Sequence, residues 1–232
     1  MMKRILFSFI GLVTYPLINI INSLTINNAE YLDDLPNCNV LFVSNHQTYF
    51  LDVITLNHIF CAHRWGKRKR LGIPYYLLKP STNICYVAAT TTMKSNILAR
   101  IFTKAGAITV KRTWNADSGE TRTGLDIGDT RNIARALENN WVITFPQGTT
   151  TPFASGRKGT AFIIKQSKPI VVPIVIKGFS DAFDKKGLRP KRWRTSLEVT
   201  FKTPLVIDYN ASTDEILQQI MDSIEQSKKF NI

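Results

Sequence analysis

The sequence predicts an α/β protein: a mixed, mostly parallel sheet flanked by helices, with an N-terminal membrane-associated helical segment. From Val40 onward, short apolar runs alternate with amphipathic runs of helical period. Two of the apolar runs, Val40-Leu41-Phe42-Val43 and Trp141-Val142-Ile143-Thr144-Phe145, lead into short polar segments, Asn45-His46-Gln47-Thr48 and Pro146-Gln147-Gly148-Thr149. Open α/β sheets place ligands at the carboxyl ends of their strands, so both segments are expected on the rim of one crevice. The third observation is the chain start, where Ile5 to Ile26 are mostly apolar behind the basic pair Lys3 and Arg4.

That first stretch is long enough to span a bilayer, yet Pro16, Asn19 and Asn22 divide it into two pieces. Each piece suits the membrane interface, so a monotopic or peripheral anchor is expected over residues 1–27, followed by one domain over 28–232. An amphipathic helix covering the core and a cleaved signal peptide are the alternatives; no A-x-A-like cleavage site follows.

Leu51 to Phe60 then reads as a helix after the first strand. Ser95 can cap a helix with Ile97, Leu98, Ile101 and Phe102 inward, closed by Gly106. Ile108 to Val110 is a strand running into Lys111 and Arg112, and Trp114 to Gly128 a polar loop. Asp129 caps a helix burying Ile133, Ala134 and Leu137 ahead of the Trp141 strand. Val171 to Ile176 and Leu197 to Phe201 are further strands. The last helix opens on a capping box from Ser212 to Glu215 and turns Ile216, Leu217, Ile220, Met221 and Ile224 inward.

With 232 residues the chain supports one large core, and 44% hydrophobic content excludes a disordered tail protein. A formal charge of +13 and a pI near 9.8 call for an anionic partner. The basic runs His63 to Arg70 and Lys185 to Arg194 each contain a tryptophan, which suits anionic lipid or an acidic carrier protein. No recognised nucleic-acid motif accompanies them, and no nucleic-acid partner is expected. Cys38, Cys61 and Cys85 form no CxxC pair and are odd in number, which argues for a reducing compartment without a disulfide framework. His58, Cys61 and His63 match no standard zinc spacing, so no metal is expected.

His46 is the natural general base, and Asp52 is close enough in sequence to fix its tautomer and steady its protonated form. Lys111 and Arg112 end another strand, where a cationic pair can hold phosphate or carboxylate. The ordered set Asn45-His46 with Asp52, Val110-Lys111-Arg112, Phe145-Pro146-Gln147-Gly148-Thr149 and Val172-Pro173-Ile174 resembles the four blocks of the glycerophospholipid acyltransferase family, typified by 1-acylglycerol-3-phosphate acyltransferases. Lys158-Gly159 resembles the usual continuation of the third block.

The resemblance implies phospholipid biosynthesis: O-acyl transfer from an acyl carrier protein or coenzyme A thioester to a lysophospholipid hydroxyl at the cytoplasmic face of a membrane, with no cofactor beyond that co-substrate. It implies catalysis by His46 with Asp52, and acceptor binding by Lys111, Arg112, Gln147, Gly148 and Thr149.

The chain departs from the pattern twice. Five residues separate His46 from Asp52 where the family has four, and Leu51 holds the acid's usual position. On a continuous helix, where each residue advances about 100°, neither spacing puts the two side chains on one face, so His46 is expected in the turn before the helix. Gln147 replaces the family's glutamate, and Thr150 stands where an arginine is common. That leaves room for a different acceptor, such as a lyso-aminoacyl lipid, or for a non-catalytic lipid-binding protein on the same scaffold.

Overall fold

The computed structural model describes residues 2–81, 83–90, 106–110 and 127–231. The helix expected from Ser95 and nearly all of the polar loop from Trp114 lie outside them, as do Lys111 and Arg112.

Seven strands form one sheet in the order β1-β7-β6-β2-β5-β3-β4. They are β1 (Ser23–Asn27), β2 (Val40–Ser44), β3 (Ile84–Ala89), β4 (Ala107–Val110), β5 (Trp141–Thr144), β6 (Ile170–Lys177) and β7 (Ser196–Phe201). From β6 to β4 neighbouring strands are parallel; β7 is antiparallel to β6 and carries β1 parallel beside it. The mixed, mostly parallel sheet is therefore the one the sequence predicts.

The strand period of two divides the sheet's contacts between two cores. On β2, Val40 and Phe42 face one core, while Leu41 and Val43 face the other. The first core is covered by α1 (Met2–Pro16), by α2 (Leu51–His63) and by a 3-10 turn at Tyr75–Leu78. α2 is buried on nearly every side, as expected of a helix apolar around its whole circumference. The second core is covered by α3 (Ile127–Leu137), α4 (Lys158–Ser167) and α6 (Thr213–Ser223). A short helix, α5 (Phe179–Ala182), follows β6.

The Ser212 capping box forms as predicted, with the hydroxyl accepting from Glu215 N and Glu215 Oε2 accepting from Ser212 N. Asp129 lies in the first turn of α3, inside the helix and not at its cap.

At the N-terminus, Pro16 does not end the helix; α1 continues through a π-helical turn, Leu17–Ile21. The combined run Lys3–Ile21 has a mean hydropathy of 1.7 and little of it is buried, Ile5, Phe9, Leu12, Val13 and Ile20 facing outward. Ile73, Tyr75 and Leu78 add exposed apolar surface on the adjoining turn. Residues 23–27 belong to the sheet: Leu24 and Ile26 alternate inward in β1, so the helical part ends before the expected boundary.

Several polar ties fix α1 to the body, among them Ser8 Oγ donating to Leu77 O at 2.6 Å and a contact to His58. His58, buried in α2, meets Thr14 Oγ1 through Nε2 at 3.0 Å and the Tyr76 hydroxyl through Nδ1 at 2.8 Å. Burial pushes its pKa from the ordinary 6.5 down to about 3. Between those values the unfolded chain holds a proton at this site and the folded chain does not, so stability rises with pH. The contribution is complete above 6.5 and is lost as pH falls toward 3. Chemical denaturation in detergent at about pH 7 and about pH 5 should show the wild type losing stability on acidification and His58→Phe losing less. Equal losses would remove His58 from the acid response.

Candidate active site

β2 and β5 are adjacent and parallel, with Val43 opposite Thr144, so their carboxyl ends deliver the two polar segments side by side. The His46 and Phe145 rings stack with centroids 3.8 Å apart and planes 20° apart.

His46 lies in the turn between β2 and α2, and the extra residue is absorbed there. Its Nδ1 is 2.9 Å from Asp52 Oδ2. That oxygen also accepts from the amides of Gln47 at 2.6 Å and Thr48 at 3.0 Å, while Oδ1 accepts from the Thr48 hydroxyl at 2.6 Å. Asp52 is fully buried, whereas 11% of the His46 side chain is exposed. A carboxylate only accepts, so in the neutral imidazole Nδ1 carries the proton and Nε2 holds the lone pair.

The turn is clamped at each residue. Past the end of β2, Asn45 continues the ladder with its side chain, Nδ2 donating to Ile176 O at 2.8 Å and Oδ1 accepting from Ile176 N at 2.7 Å. Gln47 Oε1 accepts from Phe179 N and Ser180 N at the start of α5. Tyr49 N and Phe50 N donate to Lys185 O and Lys186 O.

In the second segment Gln147 faces inward. This side chain is buried, its Nε2 donating to Ala154 O at 3.0 Å and Gln226 Oε1 at 3.2 Å. With its donor committed to these partners, Gln147 braces the loop. Gly148 has φ +61°, which only glycine adopts readily, and closes a turn back to Phe145 O. The Thr149 hydroxyl bonds locally to Thr151, accepting from its amide and meeting its hydroxyl.

The residue that the sequence reading passed over is Arg157. Its guanidinium packs on Gly148 so closely that a Cβ there would meet Cζ at 2.7 Å. Its amide donates to Pro146 O at 2.9 Å, tying it to the same turn. Lys158 pairs instead with Asp214 of α6.

His58, Cys61 and His63 go to separate partners, Cys61 accepting from Ser81 N and His63 Nε2 meeting Asp33 at 3.3 Å. Among the described residues no cluster of three or more His, Cys, Asp or Glu side chains is placed to hold a metal ion.

No curated protein matches the chain by sequence. In architecture it is similar to the crystal structure of 1-acyl-sn-glycerophosphate (LPA) acyltransferase, PlsC, from Thermotoga maritima. The TM-score is 0.56 at 15% identity, over 97% of this chain and 78% of that one. The family profile described as Acyltransferase matches residues 23–177, spanning β1 to β6 and both segments of the site. The chain belongs to the acyltransferase family.

Proposed function

We propose that the protein moves a fatty acyl group from an acyl carrier protein or coenzyme A thioester to the free hydroxyl of a lysophospholipid at a membrane surface, with 1-acylglycerol-3-phosphate the first candidate acceptor. The observation that carries this reading is the buried Asp52 carboxylate on Nδ1 of His46, which leaves Nε2 with the lone pair.

In the reaction, Nε2 takes the proton of the acceptor hydroxyl as its oxygen bonds to the thioester carbonyl carbon. The tetrahedral intermediate collapses, the carbon–sulfur bond breaks, and the thiolate recovers the proton from the imidazolium. No acyl-enzyme forms. Positioned proton transfer supplies roughly 10²- to 10⁴-fold; substrate placement and oxyanion stabilisation supply the rest. A small apolar pocket lies between α1 and α2, lined by Phe7, Ile10, Val53, Ile54 and Leu77. The exposed apolar face of Lys3–Ile21 suits a bilayer interface.

Arg157 over Gly148 holds the acceptor's anionic headgroup, together with Lys111 and Arg112, which follow β4 in sequence. Arg157→Ala is expected to raise the acceptor KM about tenfold or more, as befits loss of a charge-assisted contact, and to leave the donor KM near its original value. A change confined to the donor KM would move Arg157 off the headgroup.

The function itself is tested with purified protein, both donor types and a panel of lysolipids. Preference for a lyso-aminoacyl lipid over lysophosphatidic acid would select that acceptor and keep the chemistry. Binding of lysolipid without product would make the chain a lipid-binding protein.

A further inference from the structure

Residues 183–190 form a hairpin closed by the antiparallel bridge Phe183–Pro190, and residues 191–194 run on from it, the Lys191 and Arg192 amides donating to Ala182 O; with this extension the hairpin spans 183–194. Its neck is set by Asp184, whose amide donates to Arg189 O and whose Oδ1 accepts from Leu188 N and Arg189 N.

The inner side of the hairpin presses on the catalytic turn. Lys185 O and Lys186 O accept from the amides of Tyr49 and Phe50. Gly187, at φ +74°, is buried with no room for a Cβ, which would meet Leu51 Cβ at 2.7 Å and Thr48 Oγ1 at 2.9 Å. That hydroxyl is the one bonded to Asp52 Oδ1. A displacement of Gly187 therefore reaches His46 through Thr48 and Asp52.

The outer side carries Lys186, Leu188, Arg189, Arg192, Trp193 and Arg194, all exposed. Among the described residues no carboxylate pairs with Lys186, Arg192 or Arg194. At its far end Arg194 N donates to Ile21 O, the end of the apolar N-terminal run and next to the exposed Ile20. A cationic patch with an exposed tryptophan thus adjoins an exposed apolar helix. An acidic protein needs only the charge; an anionic bilayer engages the charge, the indole and the apolar helix together.

We infer that the 183–194 hairpin is a docking surface for anionic phospholipid headgroups, and that seating it there holds the catalytic turn in its working geometry. The docking step stands apart from acyl transfer; the effect on turnover rests on the acyl-transfer reading.

The test compares vesicles of phosphatidylcholine alone with vesicles containing phosphatidylglycerol. Binding is measured first without lysolipid, so its outcome is independent of catalysis. A triple variant, Lys186→Gln, Arg189→Gln and Arg192→Gln, is expected to lose about 10²-fold in partitioning to the anionic vesicles, at about 1 kcal/mol per basic residue, and to bind phosphatidylcholine as the wild type does. The turnover of bound wild type is expected to rise several-fold on anionic vesicles, and that of bound triple variant to stay flat. Gly187→Ala should keep anionic binding and lose kcat with little change in KM, with circular dichroism confirming the fold. Wild-type binding by the triple variant overturns the docking surface, as does a loss of affinity for an acidic carrier protein in place of anionic vesicles. Equal turnover of bound wild type on the two vesicle types overturns the coupling.

Discussion

Replacing His46 with alanine is expected to slow acyl transfer by at least about 10²-fold, because the group that receives the hydroxyl proton is gone. The fold should survive, since Asp52 keeps the Gln47 and Thr48 amides and the Thr48 hydroxyl as donors. The loss belongs in kcat, as the lone pair acts in the transition state and does not bind ground-state substrate. Steady-state rates with saturating thioester and lysolipid, alongside the thermal unfolding midpoint, separate lost chemistry from lost structure. A variant with normal kcat would exclude His46 as the base.

The proposed reaction gives Asp52 two roles, which two substitutions distinguish. Asp52→Asn keeps an oxygen for His46 Nδ1 and the two amides, while the Thr48 hydroxyl can turn to accept from the new amide group. What it loses is the charge opposite the imidazolium, so kcat should fall about tenfold or more, roughly 1.4 kcal/mol, with stability nearly unchanged. Asp52→Ala strands the Gln47 and Thr48 amides, each at a cost of about 1–3 kcal/mol, and should lower the unfolding midpoint as well as the rate. Paired kcat and melting measurements on both variants check this. An Asp52→Asn enzyme with wild-type kcat would leave the carboxylate a purely structural part.

Features governed by short-range rules were legible in the sequence. Strand and helix periods gave the mixed sheet, the Ser212 to Glu215 spacing gave the capping box, and helix geometry required His46 to lie ahead of α2. The pairing of His46 with Asp52 despite the extra residue follows from the same argument, since a turn absorbs an insertion that a helix cannot.

What sequence did not convey depends on tertiary contact. Gln147 looks like an acceptor ligand until Gln226, from beyond the end of α6, takes its amide. Arg157 reaches Gly148 because the intervening loop folds back on Pro146 O. β1 was hidden in an apolar run whose composition reads as membrane segment, and only its pairing with β7 makes it sheet. The clamp of the 183–194 hairpin on the His46 turn joins segments with no local pattern in common.

The proposed reaction transfers an acyl group directly to a lysophospholipid hydroxyl with His46 as base. The most direct measurement is a single-turnover experiment with purified protein, labelled acyl thioester and 1-acylglycerol-3-phosphate, quenched in acid and resolved into lipid and protein fractions. The predicted result is label passing from thioester to diacyl lipid at a rate at least about 10²-fold lower in His46→Ala, with none on the protein at any time. Label accumulating on the protein before the lipid, or wild-type transfer by the His46 variant, would contradict it.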